Sequence, residues 1–151
     1  MDLDIDPPRR VGPIEIGMPF DRAARALQDI PGFTPPLLKE RNPPGFAHYE
    51  SEMSIALEPG RDGRVKSIEI YRPTRNINVL YRGISIFGES ASDVIRKLAQ
   101  ITRLKIEDDG LGVLAHELLM SLGRAVLPEG PDDPDGRYFE SVLIAAPGYY
   151  E

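Results

Sequence analysis

The two histidines, His48 and His116, are the first candidates for acid–base or metal chemistry in this sequence. They occur in related contexts, Ala47-His48-Tyr49-Glu50 and Ala115-His116-Glu117, with a carboxylate close by in the chain. A histidine beside a carboxylate can act as a general base or hold a metal ion. The chain has no His-x-His or His-x-x-x-His pair, however, and no cysteine. We therefore expect exposed or half-buried histidines next to strands, with no catalytic residue, no metal site and no cofactor.

Acidic side chains form two clusters in the C-terminal half of the chain. They are Glu107-Asp108-Asp109 and the segment from Glu129 to Asp135, which contains Asp132 and Asp133. The second cluster lacks the ligand spacing of a calcium-binding loop, and prolines interrupt it. The sequence therefore predicts two solvated acidic turns, which could also serve as a docking surface for a basic partner.

Two tyrosines complete the set of candidate contact residues. Tyr149 and Tyr150 lie in the segment Pro147–Glu151, and tyrosine is favoured at protein interfaces, although these rings could equally cover the core. The residues predicted to bind a partner are therefore Asp132, Asp133, Asp135, Glu107, Asp108, Asp109, Tyr149 and Tyr150.

Composition limits the classes of protein to consider. The chain has 151 residues, the length of a single domain, and 41% of them are hydrophobic, which is enough for a buried core. A net charge of −6 argues against nucleic-acid binding, and no apolar run is long enough to span a membrane. No charged-then-apolar leader follows Met1, and no phosphate-binding glycine loop or Gly-x-Ser-x-Gly motif occurs. These features predict a cytoplasmic protein that is not an enzyme.

An internal repeat supplies the elements that would position these residues. Gly12–Asp21 and Gly83–Asp93 each combine a short alternating strand, a glycine and the start of a helix. Apolar residues at helical spacing follow in both copies, and Leu27 and Leu98 are 71 positions apart. In the second copy, Ser90 is predicted to cap the helix.

The second part of the repeat is a turn followed by a strand. Asp62-Gly63-Arg64 and Asp135-Gly136-Arg137 each precede a β-rich run, and the two glycines are 73 positions apart. Asp-Gly favours a hairpin turn. An earlier apolar run precedes each turn, at Met53–Leu57 and Met120–Val126.

The repeat predicts the architecture of the whole chain. We expect one α+β domain, residues 1–151, built from two tandem strand–helix–antiparallel-strand units at about 12–73 and 83–148. The units would lie side by side, with both helices on one face of the sheet and a shared core. Residues 1–11 are predicted as a loosely held arm, with a short edge strand as the alternative. Residues 112–126 fit helix and strand equally by local spacing, and the repeat favours a strand from Leu118 to Val126.

The segment Ile14-Glu-Ile-Gly17-Met18-Pro-Phe-Asp-Arg-Ala23 resembles the strand–Gly-Met–helix opening of beta-lactamase inhibitor proteins, and of the small outer-membrane assembly lipoproteins that share their fold. In the inhibitors, this opening begins each of two tandem units, and the sheet of these units grips a partner protein. The resemblance therefore implies a partner-binding sheet here. The cysteines used by those relatives are absent from this chain.

In the segments Leu127–Ser141 and Pro147–Tyr150, the chain resembles small acidic bacterial proteins of the α+β class, some of which are immunity proteins against toxins. These resemblances imply a protein–protein interaction module with a toxin-like partner, and the negative charge of the chain favours a basic one. The alternative is a small-molecule binder or enzyme that uses a cleft between the two units. Homodimerisation is open, and neither a nucleic acid nor a membrane is an expected partner.

Overall fold

The computed structural model describes residues 1–34, 45–48, 50–130 and 133–149. Within these ranges the protein has an α+β fold that consists mostly of strands. The helices are α1, Phe20–Gln28, and α2, Ala91–Ala99. The strands are β1 Asp2–Asp6, β2 Arg10–Val11, β3 Ile14–Glu15, β4 Phe33–Thr34, β5 Gly45–His48, β6 Met53–Pro59, β7 Val65–Tyr71, β8 Asn78–Tyr81, β9 Ile84–Ser85, β10 Lys105–Glu107, β11 Gly112–Ala115, β12 Met120–Gly123 and β13 Ser141–Ala145. Two short 3-10 helices occupy Asp108–Gly110 and His116–Leu118.

The described strands form two sheets. The smaller sheet has five strands in the order β3-β2-β1-β8-β9, and the larger has eight in the order β10-β11-β12-β13-β7-β6-β5-β4. All neighbouring strands in the larger sheet are antiparallel, and β7 pairs with β13 at its centre. This pairing joins strands that are far apart in sequence.

The N-terminal residues are part of the smaller sheet, whereas the sequence favoured a loosely held arm. β1 lies in the middle of that sheet, parallel to β8 and antiparallel to β2. Leu3 and Ile5 are buried between exposed aspartates. The alternation therefore did indicate a strand, but a central one, because β8 covers the side that would have made it an edge.

Both helices begin and bury their apolar faces largely as predicted. The Asp93 N–H donates to Ser90 Oγ at 3.2 Å, which caps α2. Leu27 and Leu98 are almost fully buried in one hydrophobic cluster that includes both helices and both sheets. Ile101 continues the helical spacing of Val94 and Leu98, which predicts a buried side chain, but it lies beyond the end of α2 and is 38% exposed.

The segment that fitted helix and strand equally forms strands. β11 and β12 are an antiparallel pair joined through the 3-10 turn at His116–Leu118. The expectation of a strand from Leu118 to Val126 is confirmed for Met120–Gly123. It is wrong at both ends, because Leu118 belongs to the 3-10 turn and residues 124–126 follow the strand. Leu119 has a positive φ of 49°, a conformation that ends the 3-10 turn and reverses the chain. Pairing of β12 with β13 decides the conformation that local periodicity leaves open.

The two Asp-Gly turns differ in their surroundings. Asp62-Gly63 lies in the tight connection of the β6–β7 hairpin, where the Gly60 N–H donates to the Arg64 carbonyl at 2.7 Å. Asp135-Gly136 lies in a long connection, residues 124–140, between the paired strands β12 and β13. The predicted hairpin turn is therefore correct at Gly63 and wrong at Gly136.

Candidate binding surface

The eight-stranded sheet has one buried face and one open face. Directly paired residues on antiparallel strands point to the same side of a sheet. A continuous row of apolar side chains covers one side: Val113, Leu122, Val142, Ile70, Ile55 and Phe46. All of them are buried, so this side faces the core.

Two rows of side chains define what we call the open face. The first contains Glu107, Gly112, Gly123, Ser141, Tyr71, Ser54, Ala47 and Thr34. The second contains Lys105, Leu114, Ser121, Leu143, Glu69, Ala56 and Gly45. Of these residues, Ala56 alone is buried, and the others are half-buried or exposed.

Tyr71 is the largest side chain on the open face and lies near its centre. Its neighbours in the row, Ser141 and Ser54, are small. The ring is 39% exposed, and its hydroxyl donates to Glu69 Oε1. An aromatic ring that is held by a hydrogen bond and surrounded by small residues offers a partner a rigid, amphipathic contact at low entropic cost.

The turn that carries the first acidic cluster lies at one end of the sheet, next to the connection that carries the second. Glu107 ends β10, and Asp108 and Asp109 follow as exposed residues with positive φ angles. Leu127, in the 124–140 connection, lies 3.5 Å from the position that a Cβ on Gly110 would occupy. The β10–β11 turn therefore lies next to the connection that carries the second cluster.

Asp133 has a structural role in that connection. Its Oδ2 accepts from the Glu129 N–H and its Oδ1 from the Asp135 N–H, both at 2.9 Å. These two backbone N–H groups hold the pKa of Asp133 below its usual value. Asp135 is exposed beside it, and Asp132 lies outside the described residues.

Tyr149 lies at the opposite end of the sheet from the acidic clusters. It follows β13, whose last residue Ala145 pairs with Ser67 near the start of β7. Burial, and then the charges of Glu58 and Glu69, raise the pKa of Tyr149 above its usual value. The candidate contact residues are thus divided between the two ends of the open face, and Tyr150 lies outside the described residues.

Two surface cavities meet near Tyr149. One, of about 580 Å³, is lined by Glu58, Lys66, Tyr149 and the segment 146–148. The other, of about 600 Å³, lies against the β1–β2–β3 strands and includes Arg9, Arg10 and Glu15. Pro147 lines both. Acidic and basic side chains are mixed in each of these linings.

The two histidines differ in environment. His116 is exposed, as expected, directly after β11. His48 is buried: its Nδ1 lies 2.8 Å from Ser51 Oγ and accepts from the Ser51 N–H at 3.2 Å, while its ring packs edge-on against Phe33. Prediction of an exposed or half-buried ring is therefore wrong for His48, because β5 points it to the core side.

Tyr71 was missed by sequence reasoning, as were Arg124 and Arg137, which line a cavity near the start of α2. The alternation Ser67-x-Glu69-x-Tyr71 is the signal for Tyr71, since it places the ring on the polar side of the strand. In the described ranges no three His, Asp or Glu side chains converge in a way that could hold a metal ion. Neither helix in these ranges has the length and apolar character needed to cross a membrane.

Comparison with known proteins finds no protein family, no curated protein and no solved structure that matches this chain.

Proposed function

We propose that this chain is a cytoplasmic protein–protein interaction module of the immunity or inhibitor type, built from two tandem units, and that it binds a basic protein through the open face. The observation that carries the proposal is the open face itself. Its central row has small residues on both sides of Tyr71, and the large apolar side chains of the core lie on the other side of the sheet.

The order of strands supports the tandem repeat. The larger sheet runs β10-β11-β12-β13 and then β7-β6-β5-β4, so the last four strands of each half lie in mirrored order about the β7–β13 pair. The helices correspond as well, since the buried Ala23 and Leu27 of α1 match Val94 and Leu98 of α2 at one constant spacing. Both helices join the cluster on the buried face, which supports their placement on one side of the sheet.

The composition of the open face supports the binding of a protein. Small side chains such as Gly123, Ser141 and Ser54 let a partner approach the backbone closely. Leu143 and Leu114, both half-buried, add apolar area beside Tyr71. A central aromatic and aliphatic group with a polar rim is the usual composition of an interface hot spot.

The charge of the molecule supports a basic partner. Residues 76–151 carry 12 acidic and 7 basic side chains, a net charge of −5, whereas residues 1–75 carry 12 and 11, a net charge of −1. Glu107, Asp108 and Asp109 extend the open face at its acidic end. Such a field attracts a positively charged protein and accelerates its association.

Affinity capture from cells of the source organism, with quantitative mass spectrometry, tests the proposal. Tyr71→Ala and Ser54→Arg alter the open face, whereas Arg22→Ala changes an exposed residue of α1 and serves as control. We expect a basic protein to be captured by the wild type and by Arg22→Ala. Loss of a hot-spot residue typically costs about 2 kcal/mol, or about 30-fold in affinity, so Tyr71→Ala should capture far less.

Recovery of the same proteins by all four forms would refute binding through the open face. Association rates measured with the captured partner then test whether the acidic turn attracts that partner electrostatically. A Glu107→Gln, Asp108→Asn, Asp109→Asn triple variant should associate more slowly and with less dependence on salt. An unchanged association rate at low salt would show that the acidic turn has no part in steering.

A further inference from the structure

A separate cavity, of about 310 Å³, lies between the start of α2 and the 124–140 connection. Its lining consists of Ser90, Ser92, Arg124, Pro128, Gly130, Asp133 and Arg137. The volume is at the lower end of the range for small-molecule sites. Two arginines and two serines among these residues are unusual for a merely structural gap on so acidic a protein.

Arg124 lacks the partners that a guanidinium normally has. Its Nη1 donates to the Gly136 carbonyl at 3.2 Å, and its guanidinium carbon lies 5.7 Å from the centre of the Phe139 ring. Its Nε is the one buried side-chain nitrogen or oxygen in the described ranges without a hydrogen-bond partner. Burial lowers the pKa of Arg124 from its usual value. A cation that is desolvated without a carboxylate is costly unless an anion binds beside it.

Arg137 packs against an aromatic ring, since its guanidinium carbon lies 5.8 Å from the centre of the Tyr138 ring. No carboxylate in the described part of the chain lies within ion-pair distance of Arg137 or Arg124. The arginine of the other Asp-Gly-Arg turn behaves differently, since Arg64 Nη1 donates to the Gly17 carbonyl at 2.9 Å. Within the described ranges, the N–H donors of the Arg137 side chain have no hydrogen-bond or ion-pair partner.

The other residues that line the cavity also favour a bound anion. Ser90 caps α2 and Ser92 lies in its first turn, where the backbone dipole favours negative charge. Among the described residues of the lining, Asp133 is the single acidic one, and each of its oxygens already accepts a backbone N–H. The two arginines of the lining, Arg124 and Arg137, therefore outnumber Asp133, whose carboxylate is hydrogen-bonded within its own loop.

We propose that this cavity binds a phosphate group, held by the guanidinium groups of Arg124 and Arg137 with the hydroxyls of Ser90 and Ser92. Arginine presents several N–H donors in a fork that matches phosphate oxygens. The group is inorganic phosphate or the phosphate of a small monoester, because the volume leaves room for a modest organic part. This proposal does not depend on protein binding through the open face.

Titration of the ¹⁵N-labelled protein with inorganic phosphate, at constant ionic strength maintained with chloride, tests the proposal. We expect saturable shifts of the Ser90, Ser92 and Arg137 amide signals, with a dissociation constant of about 1 mM or lower. Arg137→Gln should weaken binding about tenfold or more, since it removes one charged fork. Arg137 is exposed, so this variant avoids the risk that Arg124→Gln carries for folding.

Arg103→Gln is the matched control, because Arg103 is exposed outside the cavity and its loss changes the net charge equally. It should bind phosphate as the wild type does. Tighter binding of phenyl phosphate than of inorganic phosphate would identify a monoester as the ligand, and equal or weaker binding would identify the free ion. Absence of saturable shifts in the wild type, or equal affinity in the wild type and Arg137→Gln, would overturn the proposal.

Discussion

Replacement of glycine by alanine at the two Asp-Gly-Arg turns should affect the stability of the protein very differently. Gly63 and Gly136 have the same φ of +75°. Their surroundings differ. A Cβ on Gly63 would meet no atom within 4 Å, whereas a Cβ on Gly136 would lie 2.2 Å from the Val126 carbonyl oxygen and 2.9 Å from the Pro128 nitrogen.

The magnitudes follow from these two facts. An alanine in the left-handed region costs about 1–2 kcal/mol at either position. At Gly136 the backbone of residues 126–128 must also move, and overpacking of this kind adds about 1–3 kcal/mol. Because 1 kcal/mol corresponds to about 2–4 °C for a protein of this size, Gly136→Ala should melt about 2–12 °C below Gly63→Ala.

Thermal and urea unfolding followed by circular dichroism would measure this difference. Asparagine variants separate the cost of the left-handed backbone from the cost of crowding, since asparagine tolerates a positive φ better than alanine does. Gly63→Asn should therefore recover most of the lost stability, whereas Gly136→Asn should remain strongly destabilised. Equal free energies of unfolding for Gly63→Ala and Gly136→Ala would refute the argument, because it depends on the crowding at Gly136 alone.

Two further predictions concern the core and its electrostatics. Leu27→Ala and Leu98→Ala should each cost about 2–5 kcal/mol, because both side chains are almost fully buried. Since both belong to one cluster, each variant should unfold in a single transition in calorimetry, and two separate transitions would contradict a shared core. The hydrogen bond from Lys97, and then the one from the Ser85 N–H, lower the pKa of Glu89. A lowered pKa in the folded state stabilises the protein above the unfolded-state pKa of about 4.3, and this stabilisation is lost as the pH falls through the folded-state value. Urea unfolding should therefore show Glu89→Gln to be less stable than the wild type at pH 7 and similar to it at about pH 2. The exposed Glu129→Gln is the control, and an equal loss at both pH values would contradict the role given to the charge.

Sequence patterns determined several local features. The helical spacing around Leu27 and Leu98 identified which side of each helix is buried, and Ser90 was correctly identified as a cap. The turn at Gly63 was also correct. These features depend on residues close together in the chain, so periodicity and turn chemistry are enough to predict them.

Tertiary structure decided which strands pair and therefore which side chains share a surface. Local alternation marked β1 as a strand but could not place β8 beside it. It also could not place Tyr71 at the centre of the open face, because that position depends on the pairing of β7 with β13. The environments of His48 and Arg124 likewise follow from contacts with other segments of the chain. Periodicity specifies the two sides of an element, whereas burial of the whole core selects its neighbours and register.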